Sequence, residues 1–279
     1  MRLDVIFESI GTLVDGVLLT FVLTILSLVI GLVVSVPLAF LRVSRNIFLS
    51  ALVLTYTYVF RGTPLLVQLF LIYYGLGQLE LVRQSLFWPL LREPFWCALL
   101  AFSLNSAAYT TEVFRGGIQS VPSGVVEAAR ALGLSRTMQM RLVIFPLAFR
   151  IVLPSYANEV IGMLKASSLA STVTLLEITG LARRMVSDTF APFEVFLAAG
   201  LFYLLLTFAI SKLFQALEAH LTLATLADKP QHPHGRARPA QWQFAGPRRL
   251  ARNDASSEPP HTHDQRDHPI QPEKMGNHT

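Results

Sequence analysis

The 279-residue chain is poor in cysteine, lysine and histidine and, over most of its length, in charge of either sign. With Cys97 as the single cysteine, an intramolecular disulfide and a thiolate zinc cluster are both excluded. None of the four lysines, Lys165, Lys212, Lys229 and Lys274, follows a glycine, so there is no Gly-Lys-Ser/Thr phosphate loop. His220 is the only histidine before residue 228, which leaves an enzyme built on imidazole little to work with. Charged residues are 15% of the chain against 52% hydrophobic, and the mean hydropathy is +0.48, high for a soluble protein. The bilayer is therefore the first hypothesis. Residues 228–279 hold 14 of the 41 Asp, Glu, Lys and Arg, a split that excludes one uniform globular domain. A net charge of +5 could suggest nucleic acid, but uncharged runs of membrane length assign the arginines to a cytoplasmic membrane face.

Residues 16–41 form such a run, 26 residues without a charge, about 39 Å of helix. Its acidic start, Asp4, Glu8 and Asp15, is unlike a cleaved signal, so this span belongs to the mature protein. Gly16, Thr20, Thr24, Ser27, Gly31 and Ser35 fall three or four apart, predicting a face packed on other helices. Further spans are expected over 52–77, 95–114, 143–166 and 193–214, the first of these interrupted at Arg61-Gly62-Thr63-Pro64. The expectation is an all-α integral membrane protein with five transmembrane helices. Glu80, Arg83, Arg92 and Glu93 mark residues 78–94 as an extramembrane connector with an interfacial helix. Flanking basic residues, the acidic start and a tail with eight Lys and Arg orient residues 1–15 to the periplasm and both 115–142 and 228–279 to the cytoplasm. The tail has eight of the 16 prolines, cannot bury a core and is expected to be disordered. Six histidines lie in it, but no two stand at i, i+4, so no metal site is assigned.

The 115–142 segment is longer than a connector needs. Ser120-Val121-Pro122 is a helix start, Val121, Val125, Ala129 and Leu132 recur on one face, Gly133 ends the helix, and Ser135 can cap a second one. This elbow is read either as a docking surface or as an amphipathic helix resting on lipid. Glu127-Ala128-Ala129, then Gly133, then Val143-Ile144-Phe145-Pro146 resemble the EAA loop of bacterial ABC importer permeases, although Val143 and Phe145 depart from that loop's Ile-x-Leu-Pro ending. Phe60-Arg61-Gly62-Thr63-Pro64-Leu65-Leu66-Val67-Gln68, Ala108-Tyr109-Thr110-Thr111-Glu112 and Asn158-Glu159-Val160-Ile161 are similar to the polar amino-acid permeases, in particular those for histidine, lysine, arginine and ornithine and for octopine and nopaline. The resemblance covers roughly residues 12–220.

That resemblance implies the five-helix type I importer fold over 16–220. It also implies an inner-membrane subunit beside a sister permease or second copy, an ATP-binding subunit dimer and a periplasmic substrate-binding protein, with no nucleic acid. The elbow residues Glu127, Ala128, Ala129, Gly133 and Pro146 would couple to the ATPase, which would use the ATP and magnesium; this chain would carry no cofactor and no catalytic residue. Physics adds that Ala128 and Ala129 allow close approach of a partner backbone and that Glu127 can pair with a partner cation.

Ser155, Asn158, Glu159, Gly162, Lys165 and Ala166 form one polar and small stripe on the fourth span, a candidate translocation pathway, since charge at membrane depth normally faces a cavity. Glu159 could attract a cationic side chain or pair internally with Arg61 or Lys165. Arg61 is read either as a pathway residue or as the end of a broken helix, and Glu112 with Arg115, three apart, as a solvated helix pair. The function expected is import of polar, basic amino acids or opines; the alternative is a secondary transporter or another polytopic membrane protein, against which stands the absence of internal repeats.

Overall fold

A computed structural model describes residues 3–44 and 46–226, and the expectations for residues 228–279 lie outside them. All regular structure among the described residues is helical. Helix α1 (Leu3–Val43), with 41 residues, is the longest among the described residues. It buries Gly16, Thr20, Thr24, Ser27, Gly31 and Ser35, the small-residue stripe expected to face other helices. Thr20, Thr24, Ser27 and Ser35 turn their hydroxyls back onto helix carbonyls at 2.7–2.9 Å, which satisfies them without a partner helix and leaves the backbone free to be approached. The opposite face exposes Leu18, Val29 and Val33, as a lipid-facing surface requires.

Helices α2 (Ile47–Gly62) and α3 (Leu65–Phe70, continued by a wide turn over Leu71–Gly75 and a tight one over Leu76–Gln78) meet at 103° across Thr63-Pro64. The break falls where Gly plus Pro predicts it, and its freed carbonyls are not left bare. Gln68 Nε2 donates to Phe60 O at 2.7 Å and Thr63 O at 3.1 Å, while Asn105 Nδ2 donates to Phe60 O at 3.2 Å and Gln68 Oε1 at 3.1 Å. By taking up carbonyls that the broken helix leaves without partners, these amides make the bend tolerable.

The connector holds two single turns, α4 (Glu80–Arg83) and α5 (Trp88–Leu91), and leads into α6 (Pro94–Gln119). Among the described residues three helices qualify by length and apolarity to cross a membrane, over Ser9–Val43, Arg136–Val173 and Pro192–His220, and the bent pair makes a fourth if it counts as one span. Helix α6 does not qualify, although its 26 residues reach about 39 Å. The reason is its place: it packs against α1, α2 and α3 and buries Ser103, Asn105, Ser106, Thr110 and Thr111, so it need not be apolar toward lipid. A Cβ on Gly31 would stand 2.8 Å from Ser106 Oγ, and one on Gly117 would strike Val152, so glycine sets both helix crossings.

Beyond α6 come α7 (Ser123–Ala131), α8 (Arg136–Met138), α9 (Phe145–Ala166), α10 (Ile178–Thr189) and α11 (Pro192–Leu226). One apolar cluster, with Leu23, Leu69, Phe102, Met163 and Val173, joins α1, α3, α6 and α9. A second joins α1, α10 and α11 through Leu13, Ile178, Ala182 and Val195. A third and fourth lie at the elbow end, around Phe114 with Val152 and around Ile118 with Ala148.

Candidate functional site

The elbow is built on local chemistry. Gly133 has φ +74°, and Leu134 N donates to Ala129 O at 3.2 Å while Gly133 N donates to Arg130 O at 3.0 Å. This paired closure ends α7 in the left-handed conformation that favours glycine. Ser135 Oγ accepts from Met138 N at 3.4 Å, and the buried Gln139 donates through Nε2 to Leu134 O at 2.6 Å, locking the turn from the other side. A wide π turn over Gln139–Ile144 then feeds α9, where Pro146 stands in the first turn and lacks a donor that this irregular stretch does not demand. The result is one continuous helical rod from Arg136 to Val173, 38 residues, with the elbow at one end and the polar stripe farther along.

One elbow expectation is corrected. Val121, Val125, Ala129 and Leu132 are not buried as one stripe: Val121 and Ala129 are buried, Val125 is exposed and Leu132 is 81% exposed. The helix begins only at Ser123, so Val126 takes the inner position and joins Ile118, Met140, Ile144 and Leu147. Ala129 accordingly lies against its own chain, while Glu127, Ala128, Arg130 and Leu132 stay uncovered.

On α9, Ser155, Asn158, Gly162 and Lys165 are all exposed, with Glu159 and Ala166 half-buried at the edge of the stripe. Neither partner proposed for Glu159 reaches it: among the described residues no ion pair within 4.0 Å includes Glu159, Arg61 or Lys165. The Arg61 guanidinium lies over the ring of Tyr109, 5.2 Å from the centroid, and Tyr109 donates its hydroxyl to Arg61 O at 3.5 Å. The structure thus sets Arg61 of α2 against Tyr109 of α6, and leaves Lys165 farther along α9, about 9 Å of helix rise away from Glu159.

Glu112 is no solvated pair. It is 11% exposed and accepts from Arg115 Nε at 2.6 Å, faces Arg42 Nε at 3.4 Å and takes Thr57 Oγ1 at 3.3 Å, so one carboxylate ties α1, α2 and α6. Glu177, absent from the sequence-based candidates, is fully buried and caps α10 through Thr179 N and Gly180 N, both at 2.9 Å. A carboxylate directly before a helical run was the available signal for it. For Gln139 the sequence offers none.

The comparisons agree with this architecture. Residues 27–223 match the family model for the binding-protein-dependent transport system inner membrane component. The nopaline transport system permease protein of Agrobacterium fabrum is 48% identical, over 85% of this chain and 95% of that protein. The octopine transport system permease protein of Rhizobium meliloti is 48% identical over 76% and 87%, and the histidine/lysine/arginine/ornithine transport system permease protein of Escherichia coli 44% over 73% and 86%. Among solved structures, an amino acid ABC transporter with histidines superposes with a TM-score of 0.71 at 34% identity, covering 79% of this chain and 99% of that one. The inward-facing MetNI methionine ABC transporter does so at 0.62 and 18% identity over 75% and 96%, a likeness of fold alone. Permeases of this kind are non-catalytic membrane subunits whose ATP is hydrolysed by a separate chain. The chain belongs to the family of inner membrane components of binding-protein-dependent transport systems, as the permease subunit of an ABC importer.

Proposed function

We propose that this permease carries polar and in particular basic amino acids or opines from a periplasmic binding protein across the bacterial inner membrane. The observation that carries the reading is the uncovered stripe Ser155, Asn158, Gly162 and Lys165 with Glu159 at its edge. Lipid cannot solvate such a face, so it turns to a cavity and to a sister permease or second copy of this chain. Glu159 supplies the negative field that a cationic side chain needs. The names of the relatives at 44–48% identity, nopaline, octopine and histidine/lysine/arginine/ornithine permeases, support the same substrate class.

In this reading α6 crosses the membrane as the third of five spans and the N-terminus faces the periplasm. Glu127, Ala128 and Gly133, with Ala129 and Pro146 behind them, present the elbow to an ATP-binding subunit dimer, which alone uses ATP and magnesium. The continuous rod from Arg136 to Val173 transmits closure of that dimer to the stripe.

The test is uptake of labelled L-arginine and octopine into proteoliposomes holding the permease pair and ATPase, with binding protein outside and ATP inside. Uptake that needs both ATP and binding protein, and that falls at least tenfold in an assembled Glu159→Gln variant, is the expected result. Arginine uptake that persists without ATP, or that is indifferent to Glu159→Gln, overturns the reading.

A further inference from the structure

Helix α10 stands at the end of α1 away from the elbow. Leu13 and Val17 of α1 pack with Ile178 and Leu181 of α10, whereas Phe40 and Val43, about 40 Å of helix rise farther on, pack with Val126, Met140 and Ile144. That rise matches a bilayer with its headgroups, so an elbow in the cytoplasm puts α10 at the periplasmic surface. The segment 167–191 that holds it is far longer than a connector between α9 and α11 needs. It is also firmly anchored: the fully buried Glu177 caps α10, Tyr203 of α11 donates to that carboxylate, and a Cβ on Gly16 of α1 would stand 2.7 Å from Ile178 N. What this scaffold presents is polar. Arg183, Arg184, Ser187 and Asp188 share the outward face and are all exposed. Among the described residues no ion pair within 4.0 Å includes Arg183, Arg184 or Asp188, although Arg184 and Asp188 are four apart and line one 310 Å³ cavity with Thr12 of α1. Two adjacent arginines on the outer side run against the bias that keeps basic residues in cytoplasmic segments, so they answer to something other than topology. Nor is α10 an interfacial helix. Its apolar residues Ile178, Ala182 and Met185 are already buried against α1 and α11, which leaves no apolar stripe to enter a leaflet.

We propose that the outward face of α10 is a docking surface for the periplasmic binding protein, with Arg183 and Arg184 taking carboxylates of that protein and the cavity beside α1 receiving one of its side chains. The inference rests on the proposed function, which supplies the binding protein and the orientation. Arginine suits the task because its planar fork donates two parallel hydrogen bonds to a carboxylate. Charges at the rim of an interface act chiefly on encounter: opposite charge steers the partner in and fixes its register, and salt screens the effect. The bonds that anchor α10, from Tyr203 to Glu177 and from Ile178 N to Thr20 Oγ1, join the docked face to α11 and α1.

The experiment is ATP-driven uptake of labelled L-arginine into proteoliposomes holding the permease pair and ATPase, titrated with loaded binding protein. Arg183→Glu together with Arg184→Glu should raise the binding-protein concentration for half-maximal uptake by about tenfold or more, while uptake at saturating binding protein stays within about twofold of wild type, a split that a folding defect would not give. Added salt should raise the half-saturation concentration of the wild type and should not do so in the variant. Arg183→Gln with Arg184→Gln should shift it less, and keeps the test available if the double glutamate variant fails to assemble. Half-saturation unmoved in both variants, in a transporter that still needs binding protein, overturns the docking surface and leaves the proposed function standing. A shift that vanishes in vesicles of phosphatidylcholine alone assigns the arginines to anionic lipid headgroups and overturns it as well. Uptake that proceeds without binding protein removes the proposed function and the docking surface with it.

Discussion

Tyr203 donates its phenolic hydroxyl to Glu177 Oε2 at 2.7 Å, and so connects α11 to the cap of α10. Thr179 Oγ1 lies 3.1 Å from the same phenol, and Ile178 N donates to Thr20 Oγ1 of α1 at 3.3 Å. Three helices are therefore joined around one fully buried carboxylate. Tyr203→Phe removes a single donor and should cost about 1–3 kcal/mol. Thermal unfolding of the purified permease assembly in nanodiscs measures it, and an unshifted midpoint would mean the bond carries no stability. Glu177→Leu should cost more, because Thr179 N and Gly180 N then lose their acceptor in an interior without water.

Gly116 and Gly117 are neighbours in α6 with opposite surroundings. A Cβ on Gly116 meets nothing within 4 Å, whereas one on Gly117 would run into Val152 of α9. Gly117→Ala should destabilise by about 1–3 kcal/mol through overpacking, and Gly116→Ala should be neutral or stabilise by up to about 1 kcal/mol through helix propensity. Adding Val152→Ala to Gly117→Ala should restore part of the loss. Equal effects of the two single alanines on the unfolding midpoint would show that the α6–α9 crossing is looser than this.

These examples show what could be read from the residues and what could not. The buried stripe of α1 was legible because its spacing is set by the helix period alone, and all six positions are buried. The break at Thr63-Pro64 was legible because proline and glycine act locally. Glu112 was misread, since its partners Arg42 and Thr57 come from other helices and only Arg115 lies within one turn. The polarity of α6 hid its central place, because hydropathy reports exposure to lipid and says nothing of a helix enclosed by other helices. On α7, Val121 is buried ahead of the first helical position at Ser123, so it does not mark the inner face of the helix, which falls on Val126 and Ala129.

Gly133 should matter for coupling more than for folding. Its φ of +74° costs any other residue about 1–2 kcal/mol, and nothing within 4 Å would clash with a side chain, so Gly133→Ala strains the turn without disturbing the core. Gly133→Pro goes further, since proline cannot adopt that φ and cannot donate to Arg130 O. The expected outcome is an assembled transporter whose ATPase no longer responds to loaded binding protein. Wild-type transport by Gly133→Pro would rule the elbow out as the coupling element.

Glu112 balances two arginines at the elbow end of α6, and a change there tests whether that balance is structural. Glu112→Gln keeps the shape and the hydrogen-bonding capacity toward Thr57 but leaves Arg42 and Arg115 facing a neutral group and each other. Breaking a fully buried pair costs about 3–5 kcal/mol. The cost here should be smaller, because 21% of the Arg42 side chain and 30% of the Arg115 side chain remain open to solvent that screens them. The single variant should lower the unfolding midpoint, and Arg42→Gln in the same chain should recover part of the loss by removing one of the two uncompensated charges. Arg42 also donates through Nη1 to Ser50 Oγ at 2.8 Å, so recovery should be incomplete. Additive losses in the double variant would instead show that Arg42 contributes through Ser50 and packing, with no energetic coupling to the carboxylate.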